Sequence, residues 1–265
     1  MGSRLIVRAP GQAESWPGAS NTGTSGTLTA YSGGSYLQTD GQVIENKLVT
    51  QGLVIQANNI TIRNCKFASN GYYWLVLNEW GAGTNLLIED CEFDGMQAAD
   101  SCINAFNATI RRCNVYGGYD GIKAGSGVLI EDCYIHDPAI LGADPHCDGI
   151  QCLGTNSLTI RHNTITMPVG STSCVILSTG SADVMQNVLI DNNKMAGGVY
   201  SVYAGYQAGS DDISKVANIS VTNNKFSTQF FANGGSSGAI TSRDSPVVVT
   251  GNVWYDGPNA GTPVN

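Results

Sequence analysis

Charge is what this chain has least of. Asp, Glu, Lys and Arg make up 13% of its 265 residues, against roughly 25% in an average soluble domain. Basic residues are the scarcer half, with 13 Lys plus Arg against 21 Asp plus Glu, a formal charge of -8. A phosphate backbone needs clustered positive charge, so nucleic acid is excluded as an expected partner. Long apolar runs are also missing. Leu5-Ile6-Val7 is far short of a signal-peptide core, and no stretch reaches the ~20 residues of a membrane span. The chain as given therefore predicts no membrane insertion and shows no signal peptide. Histidine occurs three times and no two cysteines have CxxC spacing, which weighs against zinc. No segment carries the 3.6-residue apolar period of a helix.

What is present is glycine, apolar residues and a repeat. Gly is 33 of 265 and 42% of residues are hydrophobic, enough for a sizeable core in a turn-rich, all-β chain. One short motif recurs, as in Ile60-Thr-Ile-Arg-Asn-Cys65-Lys-Phe67, Leu86-Leu-Ile-Glu-Asp-Cys91-Glu-Phe93 and Val188-Leu-Ile-Asp-Asn-Asn193-Lys-Met195. Its anchor position reads Asn46, Cys65, Cys91, Cys113, Cys133, Asn163, Asn193, Asn224, Asn252, with steps of 19, 26, 22, 20, 30, 30, 31 and 28 residues. Such a period, with an alternating strand in each repeat, is that of a β-solenoid whose coils stack about 4.8 Å apart. The first, third and eighth motif residues are apolar and should face inward. The anchor column should be an internal stack at a turn, its asparagines bonding to one another and to backbone. On this reading four of the eight cysteines are small buried hydrophobes rather than halves of disulfides. Arg63, Glu89, Arg111, Glu131, Arg161 and Asp191 alternate in sign on the outer face, so adjacent coils should attract. The sequons at Asn59, Asn107 and Asn218 immediately precede ladder strands and read as turns.

With this ladder, residues 43–254 resemble the right-handed parallel β-helices of the pectin-lyase-like superfamily. The resemblance implies one right-handed parallel β-helix of about nine coils over 41–254, with 1–40 as an irregular N-terminal cap and 255–265 as a tail. That superfamily includes polysaccharide lyases, glycoside hydrolases, esterases and phage tailspikes, so fold is implied more narrowly than reaction. Trp16-Pro-Gly-Ala-Ser-Asn-Thr-Gly23, Gly41-Gln-Val-Ile-Glu-Asn46 and His146-Cys-Asp-Gly-Ile-Gln151 look like single-domain β-helix proteins of actinobacteria and their bacteriophages. This implies a virion or extracellular setting, a phage-tail role and a homotrimer. An outer stripe of Leu87, Leu129 and Leu189, interleaved with Thr61, Thr109 and Thr159, could pack such a trimer.

The candidate site lies between anchors. Asp100-Ser-Cys-Ile-Asn104, Asp120-Gly-Ile-Lys123 and Asp148-Gly-Ile-Gln151 align on three successive coils, Asp100 needing a one-residue shift. Asp100, Asp120 and Asp148 would form a carboxylate column, with Asn104, Lys123 and Gln151 beside it. The competing account is that Asp before Gly marks a turn. Beside the column, residues 136–148 form an insertion carrying His136, Asp137, Asp144 and His146, whereas His162 belongs to the ladder and reads as structural. Carboxylates on adjacent coils would stand about 5 Å apart, the separation used by retaining glycosidases, and those two coils apart about 10 Å, near the upper limit for inverting ones.

Three chemistries suit this cluster, with a polysaccharide as partner in each. In a hydrolase, Asp120 and Asp148 are acid and base, tuned by His146 or His136, while Asp100, Asn104, Lys123, Asp137 and Gln151 hold sugar. In a lyase, Lys123 or a histidine removes the proton alpha to a uronate, and calcium on Asp137, Asp144 and Asp148 neutralises it. In a binding module the same groups only grip glycan, with Tyr116 and Tyr119 as stacking platforms and further aromatics at Tyr72, Tyr73, Trp74, Trp80, Tyr200, Tyr203 and Tyr206. The rival from another class is a rigid virion spacer with no sugar site.

Overall fold

In the computed structural model, residues 15–78, 82–179, 184–206, 208–209, 212–241, 244 and 246–264 are described. Short strands follow one another around a triangular coil, and each pairs in parallel with its counterpart one coil away. Ten strands, from Thr29–Ala30 to Val253–Trp254, form the first sheet. Nine, from Tyr36–Leu37 to Gly238–Thr241, form the second, and nine, from Val43–Glu45 to Val247–Thr250, form the third. The expected solenoid of about nine coils is thus observed.

Each sheet contributes a column to the interior. In the third, Ile62, Ile88, Ile110, Ile130, Ile160 and Ile190 stack in register and are fully buried. In the first, Phe67 and Phe93 stack with ring centroids 4.7 Å apart. Each such side chain contributes roughly 2 kcal/mol of apolar burial, and identical shapes on successive coils fill the interior with no change of register.

The anchor column is a continuous hydrogen-bonded ladder. The Cys65 N–H donates to Cys91 Sγ at 3.4 Å and the Cys113 N–H to Cys133 Sγ at 3.5 Å. From Cys133 the acceptors become amide oxygens, with Oδ1 of Asn163, Asn193, Asn224 and Asn252 accepting in turn at 2.8–3.0 Å. All eight cysteines are free and buried. Asn46 does not belong to this column. It pairs with Asn64, one residue short of Cys65, and both have left-handed backbone. The outer turn position before the ladder is left-handed on every coil from Asn46 to Gly251, which accounts for its Asn and Asp residues. The sequon residues Asn59, Asn107 and Asn218 are left-handed too, the first two in bends between strands, whereas Asn218 lies within the strand Val216–Thr222 instead of the expected turn.

The outer charges pair two by two, with Arg63, Arg111 and Arg161 each contacting the acid one coil before, Glu45, Glu89 and Glu131. The N-terminal segment differs from an end cap. Trp16 stacks on His162 at 5.2 Å, the Gly23 N–H donates to Arg112 O, and Ser25 bonds to Asn64, so residues 15–28 strap the side of the solenoid across its coils. Strand pairing already begins at Thr29. At the other end the tail doubles back, Pro263 bridging Val253 and Val264 closing over the core.

Candidate functional site

The second sheet carries the acidic column. Its strands Ser101–Ala105, Asp120–Ala124, Asp148–Cys152 and Ser173–Leu177 are neighbours, with Asn104, Lys123, Gln151 and Ile176 in one outward register. Asp120 pairs with Ser101 and Asp148 with Ser173, so the column reads Ser101, Asp120, Asp148, Ser173. Asp100 sits one residue before it.

The Asp-Gly pairs are strand residues, not turns. A Cβ on Gly121 would lie 2.5 Å from Gly149 O and 2.8 Å from Ile135 Cγ2; one on Gly149 would lie 2.6 Å from Ile165 Cγ2. Glycine is therefore required by close approach of the next coil rather than by backbone conformation. Gly121→Ala is expected to cost about 1–3 kcal/mol through overpacking, visible as a lower melting temperature; an unchanged midpoint would contradict this packing.

Each carboxyl of the pair has one oxygen anchored in the wall. The Asp148 N–H donates to Asp120 Oδ1 at 2.8 Å, and the Ser173 hydroxyl donates to Asp148 Oδ1 at 2.5 Å. The second oxygens meet the outer register: Lys123 Nζ lies 3.4 Å from Asp120 Oδ2, and Gln151 Nε2 donates to Asp148 Oδ2 at 3.5 Å. Lys123 also contacts Asp100 Oδ2 at 2.5 Å. Asp120 and Asp148 are 1% and 2% exposed. Burial pushes Asp120 up to about 6, against the opposing pull of the Asp148 N–H and Lys123. Burial raises Asp148 further, to about 7, with the charge of Asp120 adding to it and the Ser173 bond opposing. Burial alone would lower the Lys123 ammonium, yet its bond to Asp100 and the charges of Asp120 and Asp100 outweigh that and raise it.

Aromatic rings stand on either side. Tyr73, 59% exposed, packs edge-on against Trp74, and the nearby Asp100 carboxylate raises its phenol. Tyr203 continues the outward register beyond Ile176 and packs against Tyr200 at 5.4 Å. Burial and then the charge of Asp148 raise its phenol.

Asp100, Asn104, Lys123 and Gln151 thus share one face of the second sheet, with Asp120 and Asp148 buried directly beneath Lys123 and Gln151. The insertion borders it: Tyr119 Oη accepts the His146 N–H and the Ala139 N–H donates to Gly118 O, pinning the loop to the Asp120 coil. The imidazole of His146 is not brought to the carboxyl pair. It is 72% exposed and lies 3.4 Å from Asp144. His136 is carried to a different face, on the outer surface of the first sheet. There its ring stacks between Tyr116 at 5.2 Å and Tyr134 at 4.0 Å, bonding to Asn114 and Asp137. Tyr116 is committed to Glu92 by a 2.6 Å hydrogen bond. The cause is strand register: Tyr116 ends the strand Asn114–Tyr116 and His136 directly follows the strand Tyr134–Ile135 paired with it, so they meet each other and not the second sheet. Trp80 lies outside the described residues. Among the described residues, no three His, Cys, Asp or Glu side chains converge as a metal ion would require.

Ser173 escaped the sequence reading. Its signal is the flanking of Asp-Gly-Ile on two coils by Ser101-Cys-Ile103 before and Ser173-Cys-Val175 after. Cysteine fills inward space at Cys102 and Cys174, where Gly121 and Gly149 leave none to spare.

A parallel β-solenoid with a carboxyl cluster on one sheet defines the class. A sequence model of the right-handed β-helix region matches residues 51–200, more than half of the chain, and the chain belongs to this family, within the pectin-lyase-like fold. Comparison with curated proteins finds no match, and none is found among solved structures.

Proposed function

We propose that this protein binds a polysaccharide along its second sheet and cleaves it by acid/base glycoside hydrolysis. The observation that carries the reading is the Asp120–Asp148 pair on adjacent coils. Each carboxyl has one oxygen fixed in the wall and the other toward the outer register, and burial raises Asp148 into the range of a general acid at neutral pH. Asp148 would protonate the glycosidic oxygen as that bond breaks, while ionised Asp120, held beside Lys123, bonds to the anomeric carbon. Water would then attack that carbon, giving its proton to Asp148 and releasing Asp120. Neighbouring coils, about 4.8 Å apart, match the spacing of retaining enzymes, so the first product is expected to keep its anomeric configuration.

Lys123 fits positioning better than proton abstraction, since its two carboxylate partners keep it charged. That weighs against the lyase reading. Binding without cleavage is the second reading, and the near-complete burial of Asp120 and Asp148 favours it. The resemblance to bacteriophage β-helix proteins supports a tail or other surface-recognition setting. The test is incubation with a panel of cell-envelope polysaccharides and polyuronates, scoring reducing ends and unsaturated products separately, with calcium and with chelator. Reducing ends without unsaturation, indifferent to chelator, are expected. Unsaturated products would establish a lyase, and polymer retention without any product would leave a binding module.

A further inference from the structure

The distribution of cations over the three faces is uneven. Among the described residues, Lys123 is the only Lys or Arg in the nine strands of the second sheet. Lysines lie in first-sheet strands, as at Lys66 and Lys194, and arginines in third-sheet strands, as at Arg111 and Arg161. The charge of Lys123 is already committed, at 2.5 Å from Asp100 and 3.4 Å from Asp120, and its side chain is 25% exposed. A sugar carboxylate arriving here would find a neutralised ammonium and surplus negative charge from Asp100 and Asp120.

The uncharged groups are better placed for a ligand. Asn104 and Gln151 are half-buried on either side of Lys123 in the outward register and can bond to hydroxyls. Tyr73 and Tyr203 supply ring faces at the two ends. Five coil steps separate the strand beginning at Trp74 from that containing Tyr203, a run of about 24 Å.

Resting on the glycan reading above, we infer that this surface takes a neutral polysaccharide and rejects polyuronates, and that Asp100 sets the selection by neutralising Lys123. Asp100 acts through Lys123 and is a specificity-determining residue, not a catalytic one. Without its charge, Lys123 would be shared with Asp120 alone and could meet an anionic sugar. The discrimination is electrostatic, so it must fade with salt.

The experiment is affinity electrophoresis with the panel polysaccharide that retards the wild-type protein, used before and after partial carboxymethylation, at low and high salt. Carboxymethylation is expected to weaken wild-type binding about fivefold or more at low salt and less at high salt. In Asp100→Asn the ratio between the two polymers should narrow about threefold or more, and in Lys123→Gln it should widen; circular dichroism checks that both fold. Equal or tighter wild-type binding of the carboxymethylated polymer, or an unchanged ratio in both variants, would overturn charge selection. Retardation by no polymer at all would instead overturn the glycan reading.

Discussion

Asp148→Asn is expected to lower kcat/KM by about 10³-fold, within the range for loss of a general acid, while raising the melting temperature at pH 8. The two effects have one origin. Asp148 is raised to about 7 and Asp120 to about 6 by burial, so the folded chain holds both protons more tightly than the unfolded chain, where aspartate titrates near 4. Their contribution to stability is fullest below pH 4, declines as pH rises toward 7, and is absent above. At pH 8 the fold bears the cost of two buried charges, on the order of several kcal/mol. The amide in Asp148→Asn still accepts from Ser173 without becoming charged. Its melting temperature should exceed that of the wild type at pH 8, by about 2–4 °C per kcal/mol recovered, with the difference vanishing near pH 4. Thermal unfolding at both pH values checks this; a destabilised variant at pH 8 would show that Asp148 is held as a favourable structural charge.

The second large effect is structural. Asn193→Ala is expected to destabilise the solenoid by about 3–5 kcal/mol, a loss typical of breaking a buried network. Asn193 Oδ1 accepts from the Asn163 backbone and side chain, and its Nδ2 donates to Ile160 O, Asp191 O and Asn224 Oδ1, tying three coils together. Alanine leaves the Asn163 N–H buried and unpartnered, which carries most of the cost. Asn193→Cys should recover part of the loss, because Sγ accepts the same backbone N–H at Cys91 and Cys133. Chemical denaturation separates the cases; a cysteine variant no more stable than the alanine one would contradict the equivalence of thiol and amide in this ladder.

That equivalence is why the fold was legible from sequence. Parallel stacking repeats each environment every 4.8 Å, so inward Ile62, Ile88 and Ile110 and the anchors from Cys65 to Asn252 appear as columns in the sequence itself. Errors arose where a repeat departs from the average. Asn46 falls one residue out of the column because the first coil is the shortest, 18 residues separating it from its partner Asn64. The alignment of Lys123 with Gln151 and the shift of Asp100 were readable from the same regularity. The positions of His136 and His146 were not. Both lie in or at the root of an insertion with no counterpart on other coils, and stacking with Tyr116 and Tyr134 decided where His136 went. Burial of the carboxyl pair was equally hidden, since it depends on which groups close over the column.

The pH dependence of kcat/KM tests the catalytic claim most directly. Asp120 must be ionised and Asp148 protonated, so activity on the cleaved polysaccharide should peak between about pH 6 and 7 and fall about tenfold per pH unit well outside that range. In Asp148→Asn the residual activity should lose its alkaline limb. A profile flat from pH 5 to 8, or an alkaline limb that survives in Asp148→Asn, would contradict catalysis by this pair.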